Sequence, residues 1–246
     1  MPLRPLTDSL VLRIWEEGAR QHVLDRMLTV LAIAYPELDR QAHAALPIGR
    51  RDAELLSLHE SEFGPEVQGI AVCPECRQRV SFSLRIQEIR MKNSQTDGNR
   101  IVNSGGYCLG FRLADSFDLA AAAVTRDPES AKAILLARCV VDAKCNGLPV
   151  ETAALPAAVV DELSTAMSAA DPQSDVECSF ECMDCGAKWA AIFDIALFIW
   201  DRIARRARAV IDEVHALASA YGWGEDEILA MSGARRGLYL QRVSDV

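Results

Sequence analysis

The amino-acid sequence predicts an α+β chain, mainly helical, with a small central four-cysteine ribbon split by a helical insertion. Three observations predict it. Apolar residues recur at helical spacing through the first, middle and last parts of the chain. Two short stretches switch to strict alternation, the period of a strand. Each alternating stretch carries one Cys-x-x-Cys unit, Cys73-Pro74-Glu75-Cys76 in the first and Cys182-Met183-Asp184-Cys185 in the second.

The helical elements follow in order. Leu10, Ile14, Ala19, Val23, Leu24, Met27, Leu28, Leu31 and Ala34 lie at helix-like intervals, with Thr7, Asp8 and Ser9 able to cap the start and Pro36 just past the end. Gly18 can divide this run in two. A further helix is expected from Arg51 to Phe63, stopped by Gly64-Pro65. Ile70 and Val72 then lead into the first cysteine pair, and Val80, Phe82, Leu84 and Ile86 alternate with polar residues after it. Polar residues dominate from Lys92 to Arg100, and Asn103-Ser104-Gly105-Gly106 signals a loop.

The middle of the chain reads as helix again. Asp118 to Val124 is alanine-rich, Asp127-Pro128 is a cap and first position for a helix to about Val141, and Pro156 opens another to about Ala169, ended by Asp171-Pro172. Val176, Cys178 and Phe180 restore the alternation before the second cysteine pair, and Ala187, Trp189, Ala191 and Phe193 continue it. A long helix is expected from Ile195 to Ala220, broken by Gly222, then two short ones around Glu225–Met231 and Ala234–Val243. The expected organisation is an N-terminal helical region (1–66), two ribbon halves (67–110 and 174–194), a helical insertion (111–173) and a C-terminal helical region (195–246).

Composition narrows the function. With 246 residues, half of them hydrophobic, the chain can bury a core without staples. A net charge of −9 argues against nucleic-acid binding, which favours a concentrated basic surface. No stretch is apolar for the length a membrane helix needs, and the N-terminus has no signal-peptide pattern. The expected location is the cytoplasm, where eight cysteines point to metal or buried thiols rather than disulfides.

Two cysteines three positions apart in a tight turn can point at one ion, and zinc takes four tetrahedral thiolates. Cys73, Cys76, Cys182 and Cys185 therefore form the predicted ligand set of a zinc ribbon made of two knuckles. About 105 residues separate the halves, more than usual for such sites, and a helical insertion accounts for them. Gly186 suits the left-handed position that follows the second pair, whereas Arg77 is less suited to the matching place in the first. Full thiolate ligation leaves no open coordination position, so the ion is expected to hold structure rather than catalyse. Two other readings stand beside this one. A redox-active pair needs a helix start after it, and Arg77 to Ile86 reads as strand. Buried thiols without metal are the second. Cys108, Cys139, Cys145 and Cys178 read as structural, with Cys178 the one able to substitute as a ligand.

Enzyme signatures are absent. There are four histidines, and His59-Glu60-Ser61-Glu62-Phe63 lacks the second histidine of a metalloprotease helix. No phosphate loop, dinucleotide fingerprint or nucleophile elbow occurs. Arg202, Arg205, Arg206 and Arg208 make a basic run, read first as a solvated helix face because Asp201, Asp212 and Glu213 lie close by, with a nucleic-acid stripe and a protein-facing basic patch as the alternatives.

Several further stretches stand out in order: Leu46-Pro47-Ile48-Gly49-Arg50-Arg51-Asp52, then Phe63-Gly64 and the first cysteine pair. Cys182 to Trp189, Phe198-Ile199-Trp200, Glu213 to Ala218, Ala220 to Glu225, Ile228-Leu229, Arg235-Arg236 and Tyr239-Leu240 follow. Together they resemble the T-even-type phage baseplate hub assembly chaperones and their relatives in contractile injection systems. The resemblance implies a non-enzymatic assembly chaperone or structural component with baseplate or tail-hub proteins as partners. Tyr221, Trp223 and Tyr239, set among charges, are the candidate contact surface, with Arg235 and Arg236 as polar anchors. The alternatives are that these aromatics pack the terminal helices onto the long one, and that the whole protein is a zinc-ribbon nucleic-acid-binding or regulatory protein.

Overall fold

The computed structural model describes residues 3–91 and 100–244, so the predicted polar run from Lys92 to Arg100 lies outside the described residues except for Arg100. The chain divides into two compact units, residues 1–37 with 196–246 and residues 38–195. Among the described residues, no helix is long and apolar enough to cross a membrane.

The first unit is helical. Its helices are α1 (Asp8–Gly18), α2 (Val23–Ala34) and the long α9 from Ile195 to Tyr221, followed by α10 (Glu225–Leu229) and α11 (Gly233–Ser244). Thr7 accepts a hydrogen bond from the Leu10 amide and caps α1, as its position predicts. Gly18 does divide the first apolar run. A Cβ there would come within 2.6 Å of the Trp200 ring, and the Arg26 guanidinium lies 4.7 Å from that ring while its Nε donates to the Gly18 carbonyl. Val11, Ile14, Leu31, Ile199, Ile203 and Leu217 fill the core. A partly buried charge network ties α1 to the C-terminal helices. Arg236 donates to Glu213, to the Met231 carbonyl and to Asp8, and Asp8 also accepts from Arg206.

The second unit opens with α3 (Arg40–Ala44) and α4 (Ile48–Phe63), which starts three residues before the predicted Arg51. The early start has a local cause: the Asp171 carboxylate, far away in sequence, accepts from the Gly49 amide at 2.9 Å and caps the helix. Next come β1 (Glu66–Val72) and β2 (Arg79–Arg85), an antiparallel pair in which Val72 faces Arg79, and the short α5 (Ile86–Ile89).

Between the two cysteine pairs the chain forms the expected helices α6 (Ser116–Ala122), α7 (Pro128–Cys139) and α8 (Ala157–Ala170). It also forms a four-stranded antiparallel sheet in the order β3-β4-β5-β6, which periodicity did not reveal. The strands are β3 (Arg100–Ser104), β4 (Tyr107–Phe111), β5 (Val140–Cys145) and β6 (Leu148–Pro149). Gly105 and Gly106, with φ of 55° and 85°, make the turn between β3 and β4, so Asn103 and Ser104 belong to strand rather than loop. One face of the sheet packs Leu109, Phe111 and Ala143 against Val159 and Leu163 of α8. Asp118, fully buried, binds α6 to its surroundings by accepting from Arg112 at 2.6 and 2.8 Å and from Arg138 at 2.7 Å. The unit closes with the antiparallel pair β7 (Glu177–Glu181) and β8 (Lys188–Ile192), in which Glu181 faces Lys188.

Candidate metal centre

Each cysteine pair sits in the turn of a two-stranded ribbon, and the two turns are built alike. In the first, the Cys73 amide donates to the Gln78 carbonyl at 2.9 Å and the Arg77 amide to the Cys73 carbonyl at 3.0 Å. In the second, the Cys182 amide donates to Ala187 at 2.9 Å and the Gly186 amide to Cys182 at 2.8 Å. The residue after each pair is left-handed, Gly186 at φ 72° and Arg77 at φ 63°. Glycine takes this conformation without strain, while arginine takes it against the crowding of its Cβ. The sequence expectation for both positions is met, including the unfavourable one.

The ribbons meet through aromatic rings. Phe82 of β2 packs edge-on against Phe180 of β7 at 5.2 Å, and Phe180 stacks on Trp189 of β8 at 5.4 Å. These three residues stand at the alternating positions read from sequence, although their mutual contact was not foreseen. Their packing brings the turns together.

The four predicted sulfurs converge. The Sγ atoms of Cys73, Cys76, Cys182 and Cys185 all lie within 4.8 Å of one another, with Cys73–Cys185 and Cys76–Cys182 each at 3.6 Å. Tetrahedral zinc with bonds of about 2.3 Å requires sulfurs about 3.8 Å apart, and the two cross-turn pairs lie close to that spacing. In each turn the first cysteine is buried and the second exposed.

Local electrostatics fit the same purpose. The Cys76 amide, facing the Cys73 sulfur, leads the effects that lower the Cys73 thiol to about 7. The Gln78 amide acts on Cys76 in the same direction, but burial and the three neighbouring sulfurs push that thiol up to about 12. Four sulfurs this close cannot all carry charge unless a cation stands among them, and a divalent ion bound there would supply that charge.

The remaining cysteines stay outside this cluster. Cys178 is buried on β7, where burial raises its thiol, and it is not among the clustered sulfurs. Cys139 is fully buried, and its thiol is pushed up to about 11 by burial and then by the Asp118 charge, the condition of an inert thiol. Cys108 and Cys145 lie on β4 and β5.

The other predicted site residues form a separate group in the helical unit. Tyr221 stacks on Trp223 at 4.5 Å, Tyr239 meets both edge-on at 5.7 and 4.9 Å, and the Arg235 guanidinium lies 5.8 Å from the Tyr239 ring. Tyr221 and Arg235 are exposed. Arg236, expected beside Arg235 as a surface anchor, is instead 3% exposed and committed to Glu213 and Asp8. In the basic run, Arg205 pairs with Asp201 one turn earlier at 2.8 Å, as on a solvated helix face, whereas Arg206 turns to α1 and pairs with Asp8 at 2.9 Å.

No curated protein and no solved structure matches the chain. A family model described as T4 bacteriophage base plate protein matches residues 8–200, a span that holds both cysteine turns and the sheet between them, and the chain belongs to that family.

Proposed function

We propose that this protein is a non-enzymatic assembly chaperone or structural component of the baseplate or tail hub of a contractile phage-like injection system. The family match over residues 8–200 carries the proposal. The protein is made in the cytoplasm and acts on, or enters, the growing particle. Its partners are other baseplate or hub proteins.

Zinc is the ion we assign to Cys73, Cys76, Cys182 and Cys185, in a structural role. The support is the all-sulfur donor set, the spacing of its atoms and the knuckle form of both turns. Four thiolates fill a tetrahedral zinc and leave no place for an activated water. Tyr221, Trp223, Arg235 and Tyr239 are the proposed partner surface, and Arg236 supports it from beneath by holding α11 to α9 and α1.

The test is an affinity pull-down from cells carrying the native gene neighbourhood, read by mass spectrometry beside the composition of purified particles. Baseplate proteins in the pull-down, with this protein missing from particles, establish a chaperone. Its presence in particles establishes a component. Recovery of nucleic acid or polymerase subunits without tail proteins overturns the proposal in favour of a zinc-ribbon regulator.

A further inference from the structure

The sulfur contacts of 3.6 Å, Cys73–Cys185 and Cys76–Cys182, both run from one turn to the other. Each joins a buried sulfur to an exposed one, because the first cysteine of each turn is buried and the second is open to solvent. An oxidant from solution therefore reaches Cys76 and Cys185 first, and each then has a buried thiol of the opposite turn within contact distance.

We propose that the cluster is a clasp with two closed states: four reduced sulfurs sharing an ion, or two disulfides, Cys73–Cys185 and Cys76–Cys182, with the ion gone. The inference needs only the placement of the sulfurs and does not depend on which metal the reduced cluster holds. The oxidant is a peroxide. The exposed sulfur attacks one peroxide oxygen, an S–O bond forms, the O–O bond breaks and the leaving oxygen departs as water. The buried sulfur of the opposite turn then attacks the sulfenic acid, an S–S bond forms, the S–O bond breaks and a second water leaves. Each disulfide thus takes two electrons from two cysteines and reduces one peroxide to two waters. Where the cysteines begin as metal thiolates, solvent supplies two protons per disulfide and the divalent ion is released.

The consequence is that oxidation keeps the turns joined. A disulfide within either turn closes only a tight local ring, whereas each cross-turn disulfide encloses the whole sheet and helices α6 to α8. Closing so long a loop restricts the unfolded chain strongly. A phage particle is built where thiols are kept reduced and is released where they are not, so, on the structural-component arm of the proposed function, a clasp closed in both conditions suits the protein.

The experiment treats the full-length protein with hydrogen peroxide, follows metal release, and maps disulfides by mass spectrometry of unreduced peptides. We expect Cys73 linked to Cys185 and Cys76 linked to Cys182. The oxidised, metal-free protein should melt roughly 10 °C or more above the reduced, metal-free protein. The Cys76→Ser variant should keep the Cys73–Cys185 link alone. Links of Cys73 to Cys76 and Cys182 to Cys185, or sulfinic acids on Cys76 and Cys185 without links, overturn the proposal. So does an oxidised protein that melts no higher than the reduced metal-free one. Metal content of the untreated protein is measured separately, so a missing ion does not decide this test.

Discussion

The carboxylate of Asp171 accepts a hydrogen bond from the Gly49 amide at 2.9 Å, across 122 positions of sequence. It satisfies a first-turn donor of α4 that no neighbouring side chain caps. The approach is so close that a Cβ on residue 49 would lie 1.9 Å from an Asp171 oxygen and 3.0 Å from the Ser174 amide. Gly49→Ala should therefore destabilise the protein by about 1–3 kcal/mol, read as a lower midpoint in urea. Asp171→Ala should cost about 1 kcal/mol through the lost cap, and Asp171→Asn less, because it keeps an acceptor. A Gly49→Ala variant as stable as the parent would show that the contact is dispensable.

The four cysteines should behave as one site. Cys76→Ser and Cys182→Ser lie in different turns, yet each should abolish zinc binding and lower the melting temperature to a similar degree. A chelator should produce the same loss in the parent and none further in the variants. Metal analysis paired with melting curves checks this, and one variant retaining full metal would divide the cluster into independent halves.

Asp118 makes stability pH-dependent. Burial alone would raise its pKa, but Arg112, the Asp115 amide and Arg138 outweigh burial and hold it well below the usual carboxylate range. A folded-state pKa below the unfolded one gives stability that is complete above the unfolded value and lost as pH falls beneath it. Denaturation midpoints should therefore drop as pH falls below about 4. Asp118→Asn should cost about 3 kcal/mol at neutral pH and show a shallower drop in acid, since two guanidiniums lose their charge partner.

Arg236 is 3% exposed and joins Glu213 of α9, Asp8 of α1 and the Met231 carbonyl. Arg236→Met should cost about 3 kcal/mol and release α11 first, detectable as faster amide exchange in residues 233–243 than elsewhere. Uniform exchange across α9 and α11 in the variant would contradict the assigned tie.

Trp223→Ala should weaken capture of baseplate partners about tenfold while leaving the far-ultraviolet circular dichroism unchanged. Loss of helical signal in this variant would instead make the Tyr221, Trp223 and Tyr239 trio a packing element of the terminal helices.

The four-cysteine cluster was legible because its information is local. A Cys-x-x-Cys turn between alternating residues declares its own geometry, and Gly186 marks the left-handed position. Even the mismatch at Arg77 could be read in advance. The sheet inside the insertion was not legible. Leu109 and Phe111 are apolar and buried, but Gly110 between them is buried too, so β4 lacks the polar alternation that identifies a half-exposed strand. β6 is two residues long, and β5 follows α7 without a break at Cys139–Val140. The Asp171–Gly49 contact was invisible for another reason: Asp171-Pro172 announces a helix end, and nothing in that signal says what the carboxylate will reach. Arg236 was misplaced at the surface because adjacent arginines look alike in sequence, while α11 turns Arg235 outward and Arg236 inward.

Joined sulfurs would also change how the second unit carries tension. A pull applied at Leu38 and Ile195 travels through α4 and β1 to Cys73 and leaves through Cys185 and β8. Everything from Pro74 to Asp184, β2 and β7 included, hangs outside that load path. The sheet of β3 to β6 and its helices would stay slack while the rest of the unit is stretched, so force-extension curves should lengthen by the contour of this parked segment only after the clasp breaks.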